Sequence, residues 1–548
     1  MTADIVFRGG LVADGTGRSV FAADVAVTGD KIVAVTEPGA ARGVRIVDID
    51  GLVVAPGFVD MHSHSDLAVL TDPLHEAKVM QGVTLEVIGQ DGLAYAPVSS
   101  ETLAQLRVQL AGWHGDPESA DWSWRTVGEF LDRVDAVTPV NVAYLVPHGN
   151  VRLLVMGDSD QPPSSGELAE MKQIVEDGLA EGAFGMSTGL TYVPAAFAET
   201  NELIELCRSV ATSGGFFSPH HRNYGAEIFA GYQECIDIAE ASDVALHFAH
   251  AHVNFPRNDG KARELLDMID VAVGKGIDVT FDTYPYTAGA TYLHALMPSW
   301  TLKAGVDAMR EFLSDATTRS RILRELEIDG SDGHHGMPVE WHTIFLSGAS
   351  TEGFGAFSGS SVTEIAAILG RPPGDMYLDI VEAEGFGASC IVDIGNEANV
   401  RTIMTHASHT AGSDGILVGR RPHPRGWGTF PRYLAKYVRE LGVLSLEECV
   451  KHFTSNATHR LGISDRGVLS LGTRADLVCF SPTDVQDRAT MESPRTSPAG
   501  IPYVMINGEF AVEEGRRTAS SSGRALRSHD ERLVPGALHK DKYRGDSV

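Results

Sequence analysis

The chain has 548 residues, 43% of them hydrophobic, enough to bury a full core and long enough for one large domain plus a smaller one. Lys and Arg total 44 against 73 Asp and Glu, and the resulting formal charge of −29 argues against nucleic acid or an anionic membrane as partner. The first residues, Met1 to Val6, hold no basic or long apolar stretch, no apolar run approaches ~18 residues, and the scattered Cys207, Cys235, Cys390, Cys449 and Cys479 form no C-x-x-C pair, so a soluble, cytoplasmic chain with reduced thiols is expected.

Residues 1–56 read as short β segments, Asp4 to Arg8, Asp24 to Val27, Lys31 to Val35 and Val44 to Ile49, punctuated by Gly9-Gly10, Gly29-Asp30 and Pro38-Gly39. Strands this short need partners. Segments of the same character recur at 466–526, in Ala475 to Phe480 and Pro502 to Gly508, which predicts one small β-sandwich built from both ends. Between them, over 57–465, apolar strand-like runs alternate with helical patterns such as Ser165 to Ala180 and Ile228 to Ala241, the signature of βα units. Eight strand ends are expected, near His64, Gly89, His148, Ser187, His220, His250, Tyr284 and Asp414, and the 30-residue step from His220 to His250 fits one βαβ unit. The α/β fold predicted is therefore a (β/α)8 TIM barrel, its chemistry at the C-terminal strand ends, with an insertion over the mouth at about 287–347 and an extended or disordered tail at 527–548.

The apolar run Leu52 to Val59 leads into His62-Ser63-His64, two imidazoles spaced i, i+2 and so on one face of a strand. A bare H-x-H can equally be two polar side chains bonded to nearby carbonyls. With His220 and His250 at later strand ends, however, the four histidines form a suitable nitrogen ligand set for a divalent metal, zinc before others. Asp414 lies in Gly412-Ser413-Asp414-Gly415. Its plain reading is an Asp-Gly turn, but a carboxylate ending the eighth strand is also where a general base for water would sit.

These motifs, with Gly185 to Pro194, Asp282 to Ala288, His423 to Arg432 and Arg460 to Val478 in this order, resemble the amidohydrolase superfamily and within it the N-acyl-D-amino-acid deacylase group. The resemblance runs from the first strands to about Arg527. It implies a zinc-bearing (β/α)8 barrel with a small β-domain that hydrolyses an N-acyl bond, with His62, His64, His220 and His250 as ligands of one or two ions and Asp414 as the catalytic carboxylate. The family cysteine after the second strand is absent: where the family has Gly-Asn-Cys-Gly, this chain has Gly89-Gln90-Asp91-Gly92. Asp91 is expected to replace it as a harder ligand, which makes manganese more plausible; the alternative is a surface Asp-Gly turn.

The family also holds the substrate α-carboxylate with a Lys, a Tyr, a Ser and an Arg. Tyr284 and Arg425 match, while His252 stands for the Lys and Ala290 for the Ser. Tyr192 is a further candidate to face the scissile carbonyl, and His148 an undecided pocket residue. The expected reaction is metal-dependent hydrolysis of a small-molecule C–N amide, an N-acyl-D-amino acid first and a cyclic, dipeptide-like or carboxylate-free amide second. No Gly-x-Ser-x-Gly elbow offers a serine route. A silent binding barrel is the reading from another class, and a homo-oligomer is compatible with the sequence.

Overall fold

The computed structural model describes residues 2–531. Eight parallel strands form the barrel: β1 Phe58–Asp60, β2 Val83–Ile88, β3 Asn141–Pro147, β4 Gly185–Gly189, β5 Phe216–His220, β6 Ala245–Phe248, β7 Val279–Thr283 and β8 His409–Ala411. Each pairs in parallel with the next, from Val83↔Phe58 round to Thr283↔Ala411. The circle closes where the Met61 N–H donates to the Ala411 carbonyl (3.0 Å) and the Asp414 N–H to that of His62 (2.8 Å).

The sequence accounts for these elements locally. Strand β2 is buried at every residue, as a strand covered on both faces must be. The helix Ser165–Ala180 starts at a capping box, in which Ser164 accepts from the Glu167 N–H and Glu167 reaches back, and it buries Met171, Val175, Gly178 and Leu179 at helical spacing. Inside the barrel Val59, Leu85, Val87, Ala143, Leu145, Phe184 and Phe216 pack together with Leu461 and Leu526, so the interior is a filled core.

The small β-domain joins both halves of the chain. A seven-stranded sheet sets Leu477–Phe480 antiparallel to Val53–Pro56, with Val54 opposite Cys479. It shares a core of Phe7, Val25, Ile32, Leu477 and Met505 with the four-stranded sheet of Ala3–Arg8, Asp24–Thr28, Lys31–Thr36 and Gly43–Asp48.

Between β7 and β8 the chain builds a separate lobe, and the bound of 347 expected for the insertion is too short. Ser389–Asp393 pairs antiparallel with both Ala288–Tyr292 and Ile344–Gly348, and Leu296, Met309, Leu326, Tyr377 and Val381 form the lobe's own core. A strand that pairs this far along the chain leaves no turn signal near 347. Of the tail, residues 532–548 lie outside the described residues. The part before them is docked: Arg527 donates to the Glu181 carbonyl (2.9 Å) and the Ser528 N–H to the Gly182 carbonyl (3.0 Å), directly after Arg524 and Leu526 have bonded to the Val142 backbone (2.8 Å each). Among the described residues no helix is long and apolar enough to cross a membrane.

Candidate active site

Six side chains predicted at strand ends converge at the C-terminal mouth of the barrel. Asp91, just beyond β2, is the hub. Its Oδ1 lies 3.6 Å from His62 Nε2 and 3.5 Å from His250 Nε2, and its Oδ2 lies 3.5 Å from His64 Nε2 and 3.7 Å from His220 Nδ1. Asp414 Oδ1 faces the same histidine pair, 3.2 Å from His64 Nε2 and 3.8 Å from His62 Nε2. Two donor groups result, His62–His64–Asp91–Asp414 and Asp91–His220–His250, with Asp91 common to both. All six residues are buried.

The backbone bends to make this possible. Asp91, His250 and Asp414 all have positive φ (55°, 30° and 48°), a conformation that non-glycine residues hold only when their surroundings enforce it. At Gly189 a Cβ would lie 2.2 Å from the Asp91 carbonyl, so the loop carrying Asp91 can approach β4 only over a glycine.

Neighbours orient three of the four imidazoles. His62 Nδ1 faces Asp282 (3.6 Å), whose other oxygen accepts from the His250 N–H (3.1 Å). His220 Nε2 meets the Thr191 hydroxyl (2.8 Å), and His250 Nδ1 meets the Tyr224 hydroxyl (3.0 Å). These second partners fix which nitrogen is turned to the centre.

The donor set fits a divalent cation. His62 Nε2 and Asp91 Oδ1 are buried and have no hydrogen-bond partner among the described residues, which is costly for groups left as they are. Burial disfavours a charged His64, yet Asp414 and Asp91 together override it and raise the imidazole to about 9. Burial likewise opposes ionisation of Asp91, but His62, His250 and His220 hold its carboxyl well below the usual range. Asp414 is also held low, by Arg425 first and then by His62 and His64, against the effect of burial. A divalent cation bound there would take the place of the protons that the histidines hold against these carboxylates, and the N/O donors suit zinc and its borderline neighbours.

The cleft above the centre is lined by His64, Asp91, Tyr192, His220, His250 and His252, joined by Tyr284, Asp414 and Arg425. Arg425 is wholly buried, its Nη1 2.9 Å from Asp414 Oδ2, its Nη2 donating to the Ala290 carbonyl (3.1 Å), and its guanidinium 4.5 Å above the Tyr284 ring. His252 lies against the Tyr284 ring, 4.1 Å between ring centres at a 32° tilt. Burial, together with His250 and Arg425, pushes its imidazole down to about 3. Tyr192 lies against His220 (4.7 Å between ring centres) and shares a hydroxyl contact with Thr291 (3.2 Å).

His148 does not join the cleft. Its ring is held between the Thr188 hydroxyl (2.8 Å) and Glu202 (2.7 Å), and Glu202 also pairs with Arg152, a buried polar network behind β4. Conversely, sequence reasoning missed Trp113, whose ring lies 4.7 Å from His64, and His334 and His335, which reach the cleft from the lobe. It also missed the support given by Asp282, Thr191 and Tyr224. Asp282 had a signal, since it lies two residues before Tyr284 at a strand end; the others carried none.

The sequence pattern of the amidohydrolase family matches residues 45–512. This chain belongs to that family. Among its amidohydrolase relatives is a D-aminoacylase from Alcaligenes xylosoxydans xylosoxydans, 34% identical over 95% of this chain and 97% of that one. A D-aminoacylase structure described for its binuclear metal centre, with one-metal activation and second-metal attenuation, is 32% identical and superposes with a TM-score of 0.81 over 96% of this amidohydrolase and all of that chain. An N-acyl-D-glutamate deacylase from Bordetella bronchiseptica, complexed with zinc and a phosphonate mimic of the tetrahedral intermediate, is 30% identical, with a TM-score of 0.80 over 96% and 100% of the two chains.

Proposed function

We propose that this amidohydrolase hydrolyses N-acyl-D-amino acids to a carboxylate and a free D-amino acid, with Asp414 as the proton-transfer group. The observation that carries the reading is the position of Asp414, ionised, open to the cleft and 3.2 Å from His64 at the rim of a two-group donor set. Likeness to deacylases of N-acyl-D-amino acids over nearly the whole chain supports the substrate class.

His62, His64, Asp91, His220 and His250 would hold the cation, and because Asp91 belongs to both donor groups it would serve two ions at once. Zinc is the first choice, and a carboxylate in place of the family thiolate admits manganese. A cation bound there supplies Lewis-acid polarisation of the acyl oxygen and acidifies water. Asp414 then accepts a proton from water and delivers it to the leaving nitrogen. Arg425 grips the α-carboxylate, Tyr284 supports the guanidinium face, and Tyr192 and Trp113, 5.0 Å apart between ring centres, give the cleft an aromatic wall. The five cysteines are buried and unbridged, which supports a reducing compartment such as the cytoplasm.

A second reading is favoured by one observation. The outer nitrogens of Arg425 already face Asp414 and the Ala290 carbonyl, and His252 beside it is neutral where the family pattern has a cation. This suits a carboxylate-free or cyclic amide. A hydrolysis screen of metal-reconstituted protein over N-acyl-D-amino acids, N-acyl-L-amino acids, carboxylate-free amides and cyclic amides separates the two. Turnover of the first class above the others is expected; turnover confined to the last two would replace the first reading with the second.

A further inference from the structure

Below the cleft, the seam where β1 meets β8 contains a buried lysine. Lys78, on the short helix Glu76–Val79, is fully buried and donates to Asp60 Oδ2 (2.7 Å) and to the Ser413 hydroxyl (2.7 Å), with Glu86 Oε2 3.8 Å away. Asp60 Oδ1 in turn accepts from the Ser413 N–H (2.7 Å) and from the His62 N–H (3.3 Å). Lys78, Asp60 and Ser413 thus close a triangle of hydrogen bonds across the seam, joining the strand that leads to His62 and His64 to the residue immediately before Asp414.

An ammonium buried among carboxylates is a poor way to stabilise a barrel, since apolar side chains of similar size often do as well or better. What it can do, and they cannot, is fix several groups in one geometry. Here that geometry is demanding, because Asp414 has φ 48° and must be held there by its surroundings. We infer that Lys78 is a positioning residue for catalysis: through Ser413 and Asp60 it holds the 413–415 turn so that the Asp414 carboxylate is aimed at the His62–His64 pair. The inference rests on Asp414 being the proton-transfer group.

The competing account is that Lys78 only neutralises buried carboxylates. Two variants separate these. Ser413→Ala removes the hydroxyl that Lys78 holds, with its contacts to the Gly415 N–H (3.1 Å) and the His62 carbonyl (3.4 Å), and leaves the Lys78–Asp60 pair intact. The double variant Lys78→Met/Asp60→Asn removes cation and anion together, retains an oxygen at residue 60 to accept the Ser413 N–H, and leaves Glu86 its His75 partner (2.6 Å). With the full chain loaded with metal and an N-acetyl-D-amino acid as substrate, kcat, KM, metal content and Tm are measured beside Asp414→Asn. Positioning predicts kcat lower by on the order of 10²-fold in both variants, the cost typical of a misplaced group, with KM and metal content within about twofold of the parent and Tm nearly kept. If Asp414→Asn is inactive but either variant keeps kcat within about twofold of the parent, the inference is overturned. Should the double variant not fold, Ser413→Ala decides by the same criterion. If Asp414→Asn is itself fully active, the proton-transfer reading fails and takes this inference with it.

Discussion

The floor and the roof of the cleft are built in different ways. The floor is a ring of strand ends, in which His62, Asp91, His220, His250 and Asp414 are placed by barrel register and held by buried partners. The roof is the lobe between β7 and β8, with its own sheet and its own apolar core, and it reaches the cleft through the Gly333–His335 loop and the strand residues Ala290 and Thr291. A ring shared by eight strands cannot shift one member without the others, so it suits chemistry that must not change. A lobe with an independent core can vary its inner surface without disturbing that ring, and it suits selectivity. Arg425 joins the two, touching Asp414 of the floor and Ala290 of the roof.

The comparison is broken most severely from the floor. On the proposed mechanism Asp414→Asn removes the proton acceptor and should lower kcat by about 10²–10⁴-fold, the contribution of general acid–base catalysis, while bound metal, assayed by elemental analysis, stays near the parent level. Loss of metal along with activity would make Asp414 a structural ligand instead. Asp91→Ala should empty the site, with metal content and activity falling together; unchanged metal content would remove Asp91 from the centre of the floor. At the junction, Arg425→Lys keeps the charge and loses the fork. It should cost on the order of 10-fold in kcat/KM for carboxylate-bearing substrates, or about 1.4 kcal/mol, and less for carboxylate-free amides. Equal losses for both classes would show that Arg425 does not read the carboxylate.

One effect, read in stability and not in turnover, belongs to the roof alone. His294 is stacked between Tyr292 and Phe386, each 4.1 Å away, and burial pushes its imidazole from 6.5 down to about 3. The folded protein therefore refuses a proton that the unfolded chain takes up below pH 6.5. Stability is fully present above that pH and lost as pH falls toward 3, by up to about 1.4 kcal/mol per pH unit for this group. His294→Phe should flatten the fall of Tm between neutral and mildly acid pH and leave metal content unchanged. An unaltered slope would mean that His294 contributes nothing to acid lability.

What could be read from the sequence follows the same division. His62 and His64 were legible as a pair i and i+2 after an apolar run, although β1 ends at Asp60 and His62 lies in a bend before the two-residue strand Ser63–His64; His220 and His250 were legible because their spacing matches one βαβ step. Asp91 was legible as the residue in the place of a ligand, although its role as hub needed the coordinates. Lys78 was not legible. In Glu76-Ala77-Lys78-Val79 a lysine reads as a solvated helix residue, and only the distant Asp60 and Ser413 make it a buried one. Tyr224 and the roof histidines were missed for the same reason, since their contacts come from packing between remote segments. His148 misled in the opposite direction: it ends a barrel strand as predicted, but Glu202, 54 residues later and itself paired with Arg152, holds it away from the cleft.

The seam between β1 and β8 also bears on how the protein is made. Asp60 and Ser413 are 353 residues apart, and ribosomes add about 5–20 residues per second, so the chain grows for roughly 20–70 s between them. Throughout that interval His62 and His64 have emerged without the strand that completes their site. Joining such distant segments is intrinsically slow. Assembly of the complete donor set is thus a late event in the life of each nascent chain.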